Sequence, residues 1–326
     1  MIRTILNKMM LEVTEMINTI FIILHYKFYK LTSSCIQSLL KLDLINECKI
    51  IVFDNGSDNG SYERLEHVYK ENPLIILCKN GSNLGFSEGN NMAYSIAQRY
   101  SPQFIIALNN DVVIRQRNFI KQVNEIYKEE NFHILGPDIF APYQKEHQSP
   151  LYPTFPTDEQ LKKRKQVHIN ILQNLDIAIK REVLNRKKSI VRRYIPMMLL
   201  NVFRQIKKRG YLFNKKSDNY KQIYRGCVLQ GSCLIFSKRY IAENEKLFEP
   251  TTKFYLEEYL LTLKCRTLEY SIIYNPKIQI IHYHEVSTRK SAASIKDYLI
   301  QHSQNMLDAF EILEKTLKEN PWQINH

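Results

Sequence analysis

Four short apolar runs punctuate the first 108 residues: Thr19–His25 (TIFIILH), Lys49–Phe53 (KIIVF), Leu74–Cys78 and Phe104–Leu108. Each is bounded by polar residues and is too short for a stable helix. None alternates apolar with polar, so each predicts a strand buried on both faces. Helical spacing fills the gaps and predicts helices over Thr32–Leu42, Tyr62–Glu71 and Ser87–Arg99. Strands of this kind alternating with helices imply an α/β fold with a mostly parallel central sheet flanked by helices.

In such sheets ligands bind beyond the carboxyl ends of the strands. The polar clusters of this chain stand there: His25-Tyr26 after the first run, Asp54-Asn55-Gly56-Ser57 after the second, Asn80–Gly85 after the third, and Asn109-Asn110-Asp111 after the fourth. One polar loop is ordinary, whereas four on consecutive strands at the same end point to a site.

The pattern changes after Ile134-Leu135-Gly136-Pro137, where a loop carries Pro142, Pro150, Pro153 and Pro156. A basic stretch follows. Between Gln160 and Lys216 there are 17 Lys and Arg against Asp176 and Glu182, a net +15. The whole chain of 326 residues is +13, so its remainder is near neutral. The basic clusters flank the apolar patch Tyr194–Phe203, a combination suited to a helix on an anionic membrane surface. A solvated helical insertion with one side on the core is the plainer reading. Nucleic acid needs the same charge, but no DNA-reading or RNA-reading motif accompanies it. Order resumes at Val228–Phe236, with a helix over Leu256–Leu268, strands at Ser271–Tyr274 and Ile278–His282, and a C-terminal helix over Ser294–Lys318. The divisions are therefore 1–16 (extension), 17–140, 141–225 (Pro-rich loop and insertion), 226–290 and 291–326.

No run reaches the ~20 apolar residues of a membrane span, and the first apolar run lacks the flanks of a secretory signal. The six cysteines are scattered without a C-x-x-C. These features lead to the expectation of reduced, buried cysteines in a cytoplasmic protein, peripheral on the inner face of the plasma membrane if the basic stretch binds lipid.

Three motifs of the first half are Asp54-Asn55-Gly56-Ser57, Asn83-Leu84-Gly85-Phe86-Ser87-Glu88-Gly89-Asn90-Asn91 and Leu108-Asn109-Asn110-Asp111. Gly231-Ser232, Phe254-Tyr255-Leu256-Glu257-Glu258, and His282 with Ser287-Thr288 follow. In this order they resemble family 2 glycosyltransferases of the GT-A fold, with the rhamnosyltransferase-like branch the nearest in pattern. The resemblance covers 17–140 and 226–290 and leaves the basic stretch outside. It implies a GT-A sheet, a UDP-, dTDP- or GDP-sugar donor and a glycan acceptor, lipid-linked, in surface polysaccharide synthesis.

It also implies roles. Asp54, His25 and Tyr26 would line the base and ribose pocket. Asn83, Gly85, Gly89, Asn90, Asn91, Asn109, Asn110, Gly231 and Ser232 would contact the nucleotide sugar. Each has a structural alternative: an Asx-turn, a helix cap or a strand end. Asp111 is the remaining acid of a D-x-D motif and would hold Mn2+ or Mg2+ with the donor diphosphate. His282 would complete the metal contacts, with His284 competing. Glu258 takes the general-base position beside Glu257, because an acceptor hydroxyl attacks well only as its proton leaves. One base without an enzyme nucleophile implies inversion.

Other readings fare worse. A nicotinamide enzyme needs G-x-G-x-x-G where His25-Tyr26-Lys27-Phe28 stands, and no G-x-x-x-x-G-K-[ST] exists. A nucleotidyltransferase needs a glycine-rich loop in that same place. A non-enzymatic basic adaptor for membrane or nucleic acid explains the charge but not the strand-end loops.

Overall fold

The computed structural model describes residues 17–194, 219–283 and 294–319. The extension 1–16, the basic cluster 207–209, His284, Ser287-Thr288 and all of the apolar patch after Tyr194 lie outside the described residues.

The strands are β1 (Thr19–His25), β2 (Cys48–Asp54), β3 (Ile75–Lys79), β4 (Phe104–Asn109), β5 (Val112–Val113), β6 (Ile134–Ala141), β7 (Glu146–His147), β8 (Tyr224–Arg225), β9 (Cys233–Ser237) and β10 (Ile272–His282). They join in one sheet of order β3-β2-β1-β4-β9-β6-β10-β5, with β7 on β6 and β8 on β10. The pairs β3-β2, β2-β1 and β1-β4 are parallel. Beyond β4 the sheet is mixed, because β9 runs antiparallel to both β4 and β6. The parallel half is the one the apolar runs announced.

β1 shows why those runs are unbroken. Phe21 and Ile23 pack with Cys35 and Ile36 of helix α1 (Tyr29–Leu39) on one face. Ile20 and Ile22 pack with Ala93, Tyr94 and Ala97 of helix α3 (Phe86–Gln98) on the other. Alternate residues thus meet opposite cores, and both cores demand apolar side chains. Helix α2 (Ser61–Tyr69) and helix α4 (Phe119–Glu130) complete the α1 side, while α7 (Lys238–Glu243) and α8 (Glu257–Thr267) lie on the α3 side. All six cysteines are free, and five are buried, as small apolar residues would be.

Two segments depart from the sequence expectation. β6 continues through Pro137 rather than breaking there. Pro137 pairs with Asn275, at the point where the register slips before Gln279, so its missing N–H falls at an irregularity of the ladder. The slip also explains why β10 reads as two strands in the sequence.

The basic stretch forms α5 (Asp158–Gln173) and α6 (Leu175–Tyr194). α5 starts in a capping box between Thr157 and Gln160. Its Leu161 enters an apolar cluster with Leu260 and Leu263 of α8 and Met306 and Phe310 of α9 (Ile295–Glu319). Lys165 pairs with Glu314 of α9 at 2.8 Å. The first part of the arm is thereby anchored to the body, as the plainer reading has it. Among the described residues, no helix is long and apolar enough to cross a membrane.

Candidate active site

The parallel register sets His25 beside Asp54, Leu24 beside Asn109, and Asp54 beside Lys79. The ends of β1, β2, β3 and β4 therefore share one edge, and the four polar clusters meet there.

Asp54 is fully buried at the end of β2. Its Oδ2 accepts from the Ser57 N–H at 3.1 Å, whereas Oδ1 has no hydrogen-bond partner. A buried carboxylate oxygen without a donor is expensive to keep. His25 lies 3.8 Å away and is also fully buried. Its Nδ1 meets Thr32 Oγ1 at 2.6 Å and its Nε2 meets Ser61 Oγ at 2.9 Å. Burial drives its pKa down to about 4, against the opposing pull of Asp54, so the ring is neutral. Thr32 Oγ1 donates to the Phe28 carbonyl and also accepts from Asn110 Nδ2 at 3.2 Å. The imidazole proton therefore sits on Nδ1, and Ser61 donates to Nε2. Both nitrogens are taken up by α1 and α2, and His25 offers neither to a ligand. Tyr26 is half-exposed, with the Lys27 ammonium 5.2 Å from its ring centroid.

Asn55 organises the next loop, a role the motif reading overlooked. Its Nδ2 donates to the Gly85 carbonyl at 2.9 Å and to Asn83 Oδ1 at 3.2 Å, and its Oδ1 accepts from Leu84 N–H at 3.0 Å. Asn83 is exposed and also caps the Gly85 N–H at 2.9 Å. The rest of that motif serves the scaffold. A Cβ on Gly89 would sit 2.7 Å from Leu24 Cδ1, so this glycine lets α3 approach β1. Asn90 donates to the Phe86 carbonyl. Asn91 bonds both the N–H and the carbonyl of Phe248, at 3.0 Å each. Gly89 and Asn91, expected at the nucleotide sugar, are committed to packing and to a loop clamp.

Asp111 and His282 do come together. β5 pairs with β10 so that Val112 faces His282, and Asp111 Oδ1 lies 3.2 Å from His282 Nε2. Both residues are buried. His282 Nδ1 meets Gln148 Oε1 at 2.7 Å. With Nδ1 engaged there, Nε2 is the ring nitrogen that faces the Asp111 carboxylate.

Glu257 and Glu258 open α8. The two residues before them, Tyr255 (φ 74°) and Leu256 (φ 62°), are both left-handed. Consecutive non-glycine residues in that region are strained, a feature that clusters at functional turns. Glu257 is buried, with Oε1 unpartnered. Burial and then the neighbouring Glu258 push its pKa up to about 8. Glu258 is half-buried and accepts the Gly231 N–H at 3.1 Å. Burial raises its pKa too, opposed by that N–H and by Arg164. A Cβ on Gly231 would stand 2.7 Å from Glu258 Oε1, so a larger residue there would displace the carboxylate from this position. Ser232 is buried and its hydroxyl donates to Gln230 Oε1. Its carbonyl accepts the Asn109 N–H at 2.9 Å. Gly231-Ser232 thus bridges the acid pair of α8 to the half-buried Asn109 and the turn that carries Asp111.

A model of the family described as glycosyl transferase family 2 matches residues 19–190, just over half of the chain. The chain belongs to glycosyl transferase family 2. Among solved structures, GalNAc-T7 with UDP, GalNAc and Mn2+ superposes with a TM-score of 0.51 at 13% identity, over 83% of this chain and 45% of that one. TarS 1–349 of S. aureus gives 0.47 at 14% identity over 81% and 60%. The same protein in complex with UDP-GlcNAc gives 0.34 at 18% identity over 38% and 35%. The chain thus spans less than two thirds of each of these solved chains. The likeness to GalNAc-T7 is one of fold. No curated protein matches by sequence.

The matched stretch runs past residue 140 into α5 and α6 of the arm. Two further residues of this family 2 chain escaped the motif reading. Gln148 fixes the His282 ring. Arg164 of α5 donates to the Tyr259 hydroxyl and lies over its ring at 5.3 Å. The signal for Arg164 was present as the spacing Leu161, Arg164, Lys165, His168, one helical face.

The divalent ion that the resemblance implies fits the Asp111–His282 pair. Donors bound to one octahedral ion at ~2.1 Å stand about 3.0 Å apart, and these two stand 3.2 Å apart. Among the described residues no third His, Cys, Asp or Glu completes a cluster. The remaining donors would be phosphate oxygens and water, as is usual for Mg2+ and related ions.

Proposed function

We propose that this chain moves one sugar from a nucleotide-sugar donor to a hydroxyl of a growing glycan, by single displacement with inversion. The Gly231-Ser232 bridge carries the reading. It supports a carboxylate poised beside the turn that would hold the leaving diphosphate.

Asp54 Oδ1 has the character of a seat for a pyrimidine N–H or a ribose hydroxyl, and Asn83 and Gly85 flank it on the loop pinned by Asn55. Asp111 and His282 would hold the Mn2+ or Mg2+, which when bound offsets the charge developing on the diphosphate. Glu258, partly exposed and already oriented by Gly231, takes the acceptor proton as that oxygen bonds to the anomeric carbon. The anomeric bond to the diphosphate breaks on the opposite face, and the nucleoside diphosphate leaves. Glu257, buried and held protonated near neutrality, orients its neighbour rather than acting as the base.

A lipid-linked acceptor suits the arm. Lys162, Lys163, Lys180, Arg181 and Lys187 are exposed beside the exposed apolar Val167, Ile177 and Leu184, a mixture that favours an anionic lipid surface. The rhamnosyltransferase-like branch rests on motif order alone.

The test is a melting-temperature panel of UDP-, dTDP- and GDP-sugars with and without Mn2+ or Mg2+, headed by UDP with Mn2+. A ligand that binds only the folded chain raises the melting point. A metal-dependent rise with one nucleotide class is expected, and Glu258→Gln keeps that rise while losing release of the nucleotide. No rise with any compound, on folded protein, refutes the reading.

A further inference from the structure

The arm helix α5 carries a residue that belongs to none of the family motifs yet touches the catalytic helix. Arg164 donates from Nη1 to the Tyr259 hydroxyl, and its guanidinium lies 5.3 Å from the centre of that ring. Tyr259 follows Glu258 and is 1% exposed. Tyr152 and Phe155 each pack a ring edge-on to it at 6.0 Å. Arg164 is itself held by its helix. One turn earlier Leu161 is buried in the α8–α9 cluster, and the next residue, Lys165, is paired with Glu314. A flexible surface arginine would average its charge over many positions, whereas this one is fixed.

The ionisable groups around the Glu258 carboxylate are few. Glu257 adjoins it on α8, Tyr259 follows it, Tyr152 packs against Tyr259 from the preceding loop, and Arg164 comes from α5. Gly231 contributes a neutral N–H. Among these described groups Arg164 is the cation, and it opposes the effect of burial. Arginine suits the task better than lysine: its planar fork stacks and donates at once, and it stays charged when desolvated.

We propose that Arg164 is a positioning residue for the transfer, locking Tyr259 in place and holding a permanent positive charge against the residue that follows Glu258. The proposal rests on the reading of Glu258 as the base. It also changes the meaning of the arm: a helix that looked like a solvated appendage supplies part of the environment of the chemistry.

The experiment is a carbon-13 titration of the glutamate carboxyls in the full chain, with the Glu258 signal assigned by its loss in Glu258→Gln. In Arg164→Gln the Glu258 midpoint should move up, and the acid limb of the rate profile should move with it. Arg164→Lys, which keeps a charge but loses the planar fork, should restore only part of that shift. A merely structural role lowers the rate at every pH without moving the midpoint, so an unmoved midpoint in Arg164→Gln overturns the proposal. If Arg164→Gln does not fold, Arg164→Lys decides. A lower kcat with unchanged donor KM, read as UDP release from UDP-N-acetylglucosamine or nucleotide release from the donor the melting panel selects, supports it. Wild-type values, or a joint loss of both, overturn it. Glu258→Gln in the same assay separates the two ideas: retained turnover removes the base assignment, while the titration still reports whether Arg164 acts on that carboxyl.

Discussion

Gly85 is where the donor loop and the catalytic turn touch, and replacing it with alanine tests that junction. Its backbone, at φ 87° and ψ −173°, occupies a region open essentially to glycine alone. A Cβ there would lie 2.4 Å from the Lys253 carbonyl oxygen, a backbone atom that cannot swing aside. That same oxygen accepts the Phe86 N–H at 2.7 Å. Gly85→Ala therefore carries roughly 1–3 kcal/mol of backbone strain plus about 1 kcal/mol for the displaced hydrogen bond. The sum is about 2–4 kcal/mol, or a melting point lower by roughly 3–6 °C for a chain of this size. Gly81, four residues earlier in the loop, is the control, because its φ is ordinary and a Cβ would meet nothing within 4 Å. Gly81→Ala should be neutral or gain a few tenths of a kcal/mol through the unfolded state. Urea titrations followed by circular dichroism measure both. Equal stabilities of the two variants, within about 0.5 kcal/mol, would refute the close approach.

Three more expectations follow from the site. Glu257 has its folded pKa raised from 4.5 to about 8, so the folded chain binds the extra proton between those values and stability declines as pH rises through that window. At ~1.4 kcal/mol per pH unit the decline from pH 4.5 to 7 is about 3 kcal/mol, and Glu257→Gln should flatten it; parallel stability–pH curves for variant and wild type would count against the buried, proton-bearing Glu257. Gln148→Leu frees the His282 ring and should weaken Mn2+ binding by about 10–100-fold with little change in melting point, measured by calorimetry with UDP present; unchanged affinity would remove Gln148 from the site. Reversing charge at Lys180, Arg181 and Lys187 should abolish low-salt sedimentation with vesicles rich in phosphatidylglycerol, and unchanged pelleting would reject the lipid surface.

What the sequence disclosed depended on how local the cause was. β1 is legible to the residue, because both of its faces are buried by helices that follow it closely in the chain. Asp54 and Asp111 are legible too, as acids at the ends of apolar runs. Asn91 is not: its asparagine chemistry looks like a sugar contact, and only the distant Phe248 backbone reveals a clamp. His25 misleads in the same way, since its partners Thr32, Ser61 and Asp54 assemble only once α1, α2 and β2 have packed. β5, β7 and β8 are two residues each and have no periodicity to read. Arg164 was hidden by its company: seventeen basic residues in one stretch suggest a charged surface, and which of them turns inward depends on α8 and α9.

The place of β9 has a consequence for how the chain is made. β4 and β6 are not neighbours in the sheet, and β9 lies between them, bonded to both. A ribosome that has released β1 to β6 has made the half-sheet β3-β2-β1-β4 and a separate β6, their facing edges open and β10 still to come. The strand that sutures them, Cys233–Ser237, emerges only after the arm. Until then those edges are available to other chains, and joining them spans a long separation that makes folding slow. The stretch that family comparison recognises stops at residue 190. It stops before the suture, so the segment with the recognisable ancestry lacks the strand that joins β4 to β6.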